Sequence, residues 1–197
     1  VYARDAQGKL TGVLIEPPSY SAFAKKMAPP SQQVVVDAYM KTVQRMAAAG
    51  ITTSSEQGMG AVMPIMEEFA MVKALSQRQD FPIRVRAYLW GTSIPEGFSA
   101  IKPNEGDDRF RAIGVKYIAD GSTQGLTAAI SKPYLYPAGT KNRGALDWED
   151  QKLQGLTKTY FDQGWQISIH ANGDRAIEQA LDNYTQLQQG NPNPEAR

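Results

Sequence analysis

The stretch SIHANGDRA, residues 168–176, holds the only histidine of the chain. An imidazole that is last in a strand-like run, just before a glycine-containing turn, has two uses. It can pack in the core against a backbone carbonyl, or it can offer a nitrogen lone pair to a metal. A metal needs three or four ligands. With no second histidine and no cysteine, a site at His170 must be completed by oxygen ligands or by residues outside this sequence. Lys116 is the second residue of interest. A lysine at a strand end ordinarily snorkels to solvent. Turned into a barrel it would be desolvated, which lowers its pKa and makes the amine nucleophilic. Such an amine can form a Schiff base with a carbonyl substrate, or react with carbon dioxide to give a carbamate, a bidentate oxygen ligand for metals. Asp120, in ADGS, belongs to an Asp-Gly turn pair, and its nearness to Lys116 also makes it a candidate for substrate contact. Asp174 is expected to cap the last helix. The aromatic residues Tyr88, Trp90, Tyr134 and Tyr136 are candidates to line a pocket.

These residues need a scaffold, and the pattern of the chain supplies one. Residues 1–30 read as an irregular arm, with a turn around Gly8, a short extended run, and proline breaks in EPPS and APPS. From residue 31 to 197 the pattern is regular. Val36, Tyr39, Met40, Val43, Met46 and Ala47 share a helical face that Gly50 ends. ITTSSE is short and β-branched, as a strand should be. Val62, Ile65, Met66, Phe69 and Val72 form a second amphipathic helix, followed by a strand over 83–90. A third strand, 113–118, opens into a loop reaching residue 146, a length that is usually functional. A helix from about 147 to 163, the strand WQISIH, and a last helix carrying Ile177, Ala180, Leu181 and Tyr184 inward complete the series. Strands alternating with helices pair in parallel through right-handed crossovers. No glycine-rich phosphate loop follows any strand, which disfavours a nucleotide-binding open sheet and favours a (β/α) barrel.

Alternate strand residues point to opposite faces. On that parity Gln166, Ser168 and His170 share one face, and so do Gly114, Lys116 and Ile118. The same reasoning groups Thr52, Ser54 and Glu56. Glu56, Trp90, Lys116 and His170 are then expected at the C-terminal ends of four successive strands, facing inward, where barrel enzymes keep their chemistry.

Composition excludes several classes. Net charge is +1 over 197 residues, with 42% hydrophobic and 21% charged, so nothing points to nucleic acid or a membrane surface as partner. No apolar run approaches the roughly 18 residues that span a bilayer. The absence of cysteine excludes disulfides and thiolate metal sites, and it suits a cytoplasmic or a periplasmic setting equally. Val1 need not be a natural start.

Four blocks, RDAQGKLTGVLIE, AAAGITTSSEQG, GVKYIADGSTQGLTAAISKPY and HANGDRAIEQALD, together resemble amidohydrolase family 3, the YtcJ-like metal-dependent hydrolases. That family includes N-substituted formamide deformylases and proteins labelled exoenzyme regulatory factors. HAxGD and VKxxxDGS are the most specific parts of the match. The resemblance implies a metal-binding (β/α)₈ barrel with a small β-sandwich. Within it, His170 would be the metal ligand ending the fifth strand. Lys116 would be the fourth-strand lysine, carbamylated in related enzymes to bridge two metals, and the metal is expected to be zinc. Asp120, Tyr134, Trp90 and Glu56 would contact a small amide or formamide substrate, whose C–N bond is cleaved by metal-activated water.

The departures bear on this as well. The family's His-x-His pair, sixth-strand histidine and final-strand aspartate are missing from these 197 residues. Asn172 stands where an aliphatic residue is common, and Glu56 where an aspartate is. The chain is therefore expected to be an internal fragment: an α/β partial TIM barrel of about four parallel strands with outer helices, inactive by itself. A closed barrel takes roughly 250 residues. Its open edges would favour association between copies, as a homo-oligomer. Two other readings remain open: a non-catalytic binding or regulatory barrel, and a Schiff-base lyase using Lys116.

Overall fold

A computed structural model describes residues 2–14, 26–190 and 192. The expected proline break EPPS, residues 16–19, lies outside them. The chain divides into two compact units, residues 1–37 and 38–197.

In the first unit, β1 (Tyr2–Arg4) and β2 (Leu10–Leu14) pair antiparallel, with Tyr2 opposite Leu14. The turn around Gly8 and the short extended run read from the sequence are the hairpin turn and β2, and β1 is a strand the sequence reading did not place. The turn is built locally. Asp5 Oδ1 accepts from the Gln7 and Lys9 amides, and Gly8 takes φ 82°, a region glycine enters without steric cost. Helix α1 (Gln32–Ala48) follows APPS, as its apolar spacing predicts, and ends at Gly50 with φ 83°.

The second unit is organised by four parallel strands in sequence order: β3 (Thr53–Met59), β4 (Arg84–Trp90), β5 (Phe110–Ile118) and β6 (Gln166–His170). Helices α2 (Ile65–Ser76), α3 (Asp150–Phe161) and α4 (Asp174–Gly190) occupy the connections and the end. Helix α2 starts later than its apolar spacing suggested, so Val62 is left outside it and exposed. Pro64 is the N-cap, and the chain before a proline is pushed to extended backbone. Glu67 and Glu68 in the first turn then favour the helix start.

The two sheet faces differ sharply. Val85, Ala87, Leu89, Phe110, Ala112, Val115, Tyr117 and Ile167 are all buried, on the face that packs against helices. The opposite face carries Arg86, Trp90, Arg111, Lys116, Gln166, Ser168 and His170, each half-buried. Tyr88 shares this polar face, and Gly114 makes room for it. A Cβ at 114 would lie 2.2 Å from the Tyr88 ring, against roughly 3.4 Å or more in ordinary van der Waals contact. Tyr88 instead reaches across to donate to Gln166 Oε1 at 2.8 Å.

Helix α4 is rotated from its expected orientation. Ala176, Ala180 and Leu187 are buried, whereas Ile177 and Leu181 are exposed. Polar contacts set this rotation. Gln179 Nε2 donates to the Trp148 carbonyl and to Asp150, and Thr157 Oγ1 donates to Asn183 Oδ1 at 3.1 Å. Seating the Gln179 amide nitrogen and the Thr157–Asn183 pair in this way turns Ile177 and Leu181 outward.

Candidate metal and catalytic site

The polar face of the sheet brings Trp90, Lys116, Ser168 and His170 together at the C-terminal strand ends. Trp90 pairs laterally with Lys116, Lys116 with Ser168, and Ile118 with His170. Laterally paired residues point the same way, so Lys116 and His170 stand diagonally on adjacent strands. Strand geometry puts their Cα atoms about 8 Å apart.

Lys116 Nζ donates to Ser168 Oγ at 3.4 Å, and Ser168 Oγ donates to Gln57 Oε1 at 2.9 Å. Among the described residues no carboxylate is bonded to Lys116 or Ser168. Burial beside Trp90 therefore works against the ammonium, and desolvation holds Lys116 below the usual lysine range. Half-buried and poorly compensated, the amine is poised to lose its proton more readily than an ordinary surface lysine.

Glu56 is not on this face. It pairs with Ala87, whose side is the helix side, and its charge acts on the Tyr39 phenol and the Glu68 carboxyl. The sheet's inward member is its neighbour Gln57, bonded to Ser168. The register of β3 shifts between Glu56 and Met59, and TTSSEQG offers no apolar residue to mark the buried side. Parity alone therefore chose the wrong face.

Asp120 is fully buried, and three backbone donors occupy its carboxylate. Oδ1 accepts from the Asn172 amide at 2.9 Å, and Oδ2 accepts from Ala129 and Gly173 at 2.8 Å each. It clamps the long loop and the turn after β6 to the end of β5, beside a small core of Ala119, Ala129 and Ala176. The expectation of a substrate contact gives way to this bracing geometry, because the oxygens face backbone.

Tyr134 and Asp174 lie in the loop region, where they line a surface depression of about 520 Å³ with Ser131, Lys132 and Leu135. Tyr134 donates its hydroxyl to the Ala128 carbonyl at 2.9 Å. Asp174 is the first residue of α4, and its carboxylate is turned to the long loop instead of capping the helix. The Ser131 hydroxyl, and then the Ser131 backbone amide at 2.8 Å, hold it below the usual aspartate range. Neither Lys116 nor His170 lines this depression.

His170 ends β6. Its carbonyl accepts from Ala119 at 2.8 Å, and its Nε2 lies 2.9 Å from Asn172 Nδ2. Among the described residues no three His, Cys, Asp or Glu side chains converge. The Asp120 carboxylate already accepts three backbone amides. The donors on offer are thus one imidazole and one amine of lowered basicity. Sequence reasoning missed Gln57 and did not weigh Ser168, although strand parity had already put Ser168 on the face of His170.

The whole chain, residues 1–197, matches the model of the amidohydrolase family. It is 23% identical over 181 residues to YtcJ of Bacillus subtilis (strain 168), a protein named as an amidohydrolase, covering 92% of this chain and 33% of that one. Among solved structures it is similar to a protein described as an uncharacterized metal-dependent hydrolase of Pyrococcus horikoshii OT3. The TM-score is 0.70 at 22% identity, over 93% of this chain and 36% of the other. A counterpart from Pyrococcus furiosus gives a TM-score of 0.65 at 20% identity, over 86% and 34%. The chain therefore spans about a third of the length of the relatives it matches, and its one-sided sheet is part of a (β/α) barrel.

Proposed function

Since the chain belongs to the amidohydrolase family, we propose that it supplies part of the active centre of a metal-dependent hydrolase cleaving a C–N bond, of amide or formamide type, in a small molecule. The observation that carries this reading is the pairing of a desolvated lysine with the chain's only histidine at adjacent C-terminal strand ends. His170 would give an imidazole lone pair. Lys116, as the neutral amine, would add to carbon dioxide, forming an N–C bond and releasing one proton, and the resulting carbamate offers two oxygens. This donor set fits a divalent metal such as zinc in chemistry but not in number. One nitrogen and one carbamate leave further ligands to be provided by other parts of the full-length protein. When bound, such a metal supplies Lewis acidity towards a water and a carbonyl.

The chain's own residues do the remaining work. Ser168, fixed by Gln57, holds the Lys116 head group in line with the strand ends. Trp90 stands laterally beside Lys116, and Asp120 pins the turn that follows His170. The 197 residues alone are expected to bind zinc weakly and to hydrolyse nothing. The test is His170→Ala and Lys116→Ala in the full-length protein, with metal content and turnover both measured. Each should lower metal content and cut turnover by several powers of ten, as loss of several kcal/mol of transition-state stabilisation requires. Full metal content and normal turnover in His170→Ala would refute the reading.

The lowered basicity of Lys116 also favours a second reading, a Schiff-base lyase. Borohydride trapping with a small aldehyde or keto acid separates the two. A covalent label on Lys116 supports the lyase, and its absence supports the hydrolase.

A further inference from the structure

Asn172 is the one side chain among the described residues bonded to the His170 ring, and the metal reading does not use it. Its Nδ2 lies 2.9 Å from His170 Nε2 and 2.9 Å from the Gly121 carbonyl oxygen. A peptide carbonyl only accepts, so the amide atom facing Gly121 is the NH₂ nitrogen. Turning the amide over would set oxygen against oxygen. With one amide hydrogen committed to Gly121, the other points at Nε2, which accepts it. A neutral ring that accepts at Nε2 carries its proton on Nδ1. The turn itself is anchored, because the backbone amides of Asn172 and Gly173 both donate to the buried Asp120.

We propose that Asn172 is a latch on His170: a positioning residue that fixes the Nδ1–H tautomer of the metal-free ring and must let go before the imidazole ligates a cation. Only the release step rests on the metal reading. A cation entering at Nε2 takes the lone pair that the amide occupies. A cation entering at Nδ1 forces the proton to Nε2, where N–H would face N–H. Either route gives up the Asn172 hydrogen bond, so that bond is subtracted from cation affinity.

His170 is the sole imidazole, so long-range ¹H–¹⁵N correlation of the labelled chain reads its two ring nitrogens without ambiguity. Asn172→Leu and Asn172→Ala leave the backbone amide to Asp120 in place, and a thermal melt confirms that each is folded. The unsubstituted chain is expected to show the proton on Nδ1, and both variants to revert to the Nε2–H form that an unconstrained histidine side chain prefers. Zinc titrated against the same signals should bind about two- to tenfold more tightly in the variants, the change produced by removing one ordinary hydrogen bond. An unsubstituted chain already in the Nε2–H form, or a tautomer unmoved by either variant, overturns the latch. Zinc bound no more tightly in the variants overturns the release step. Ring signals that ignore zinc in all three proteins overturn the release step, while the tautomer still decides what Asn172 does and the metal reading stands or falls on the full-length variants.

Discussion

Removing the Asp120 carboxylate should be the most damaging small change in the polar half of this chain. Asp120→Ala strips the acceptor from three backbone amides, those of Ala129, Asn172 and Gly173, held at 2.8, 2.9 and 2.8 Å. Hydrogen bonds to a charged group contribute about 1.5–3 kcal/mol each. Three bonds to one carboxylate are coupled and do not add in full, so we expect a loss of about 3–5 kcal/mol, the range typical of deleting one side of a buried charged network. For a domain of this size that corresponds to a melting point lower by about 6–20 °C. Asp120→Asn should cost less, about 1–3 kcal/mol. Its single oxygen can still serve Ala129 and Gly173, while its NH₂ faces the Asn172 amide. Urea unfolding followed by tryptophan fluorescence gives the two energies. Hydrogen exchange gives the location, since the three amides should lose protection together. A loss below about 1 kcal/mol in Asp120→Ala, or unchanged protection at those amides, would refute the bracing role.

Other consequences can be checked on the same chain. In Gly173→Ala the new Cβ would sit 1.9 Å from the Ala129 carbonyl oxygen, so the loop must move away; we expect a loss above about 3 kcal/mol in chemical denaturation. Tyr117 is 2% exposed and its hydroxyl has no hydrogen-bond partner among the described residues, so Tyr117→Phe should be neutral or slightly stabilising, whereas Tyr88→Phe, which loses the bond to Gln166, should cost about 0.5–1.5 kcal/mol. Lys116→Met should stabilise the chain at neutral pH. The folded chain binds fewer protons at a lysine held below its ordinary range than the unfolded chain does, so stability rises with pH through that interval. The advantage of the variant should therefore shrink as pH climbs towards the ordinary lysine range, which denaturation at several pH values will show.

The legible parts of this fold are those where burial and period coincide. Strand β6, and β5 beyond its irregularity at Gly114, alternate because one face meets helices and the other does not, so Lys116, Ser168 and His170 could be put on one face by counting alone. The same counting failed in β3. Its first six residues, TSSEQG, contain nothing apolar, and the choice between Glu56 and Gln57 depends on pairing with Ala87, a contact 31 positions away. Helix α4 misled for the opposite reason. It has an apolar stripe at Ile177 and Leu181, but the buried side is set by Gln179 and Asn183, which find partners on and before α3. Hydrophobic period cannot report a face chosen by paired polar groups. The role of Asp120 was equally hidden, since Asp-Gly reads locally as a turn and its three donors lie 9, 52 and 53 residues further on.

Stability and chemistry meet at that carboxylate. Lys116 and His170 stand on different strands, and backbone pairing between β5 and β6 fixes only where those strands run. Past their ends the chain is free to diverge: β5 leads into a long loop, and β6 into a short turn before α4. Asp120 joins the two. It lies two residues past the end of β5, and it holds the amides of Asn172 and Gly173 just past His170. Asn172 in turn reaches back to the Gly121 carbonyl and to the His170 ring. The aspartate of the VKxxxDGS block and the turn of the HAxGD block are thus one hydrogen-bonded unit. Its spacing relative to Lys116 is a matter of strand geometry and not of loop conformation. A substitution at Asp120 should therefore loosen the His170 ring as well as the fold, and the tautomer of the single histidine would register that loosening before the chain unfolds.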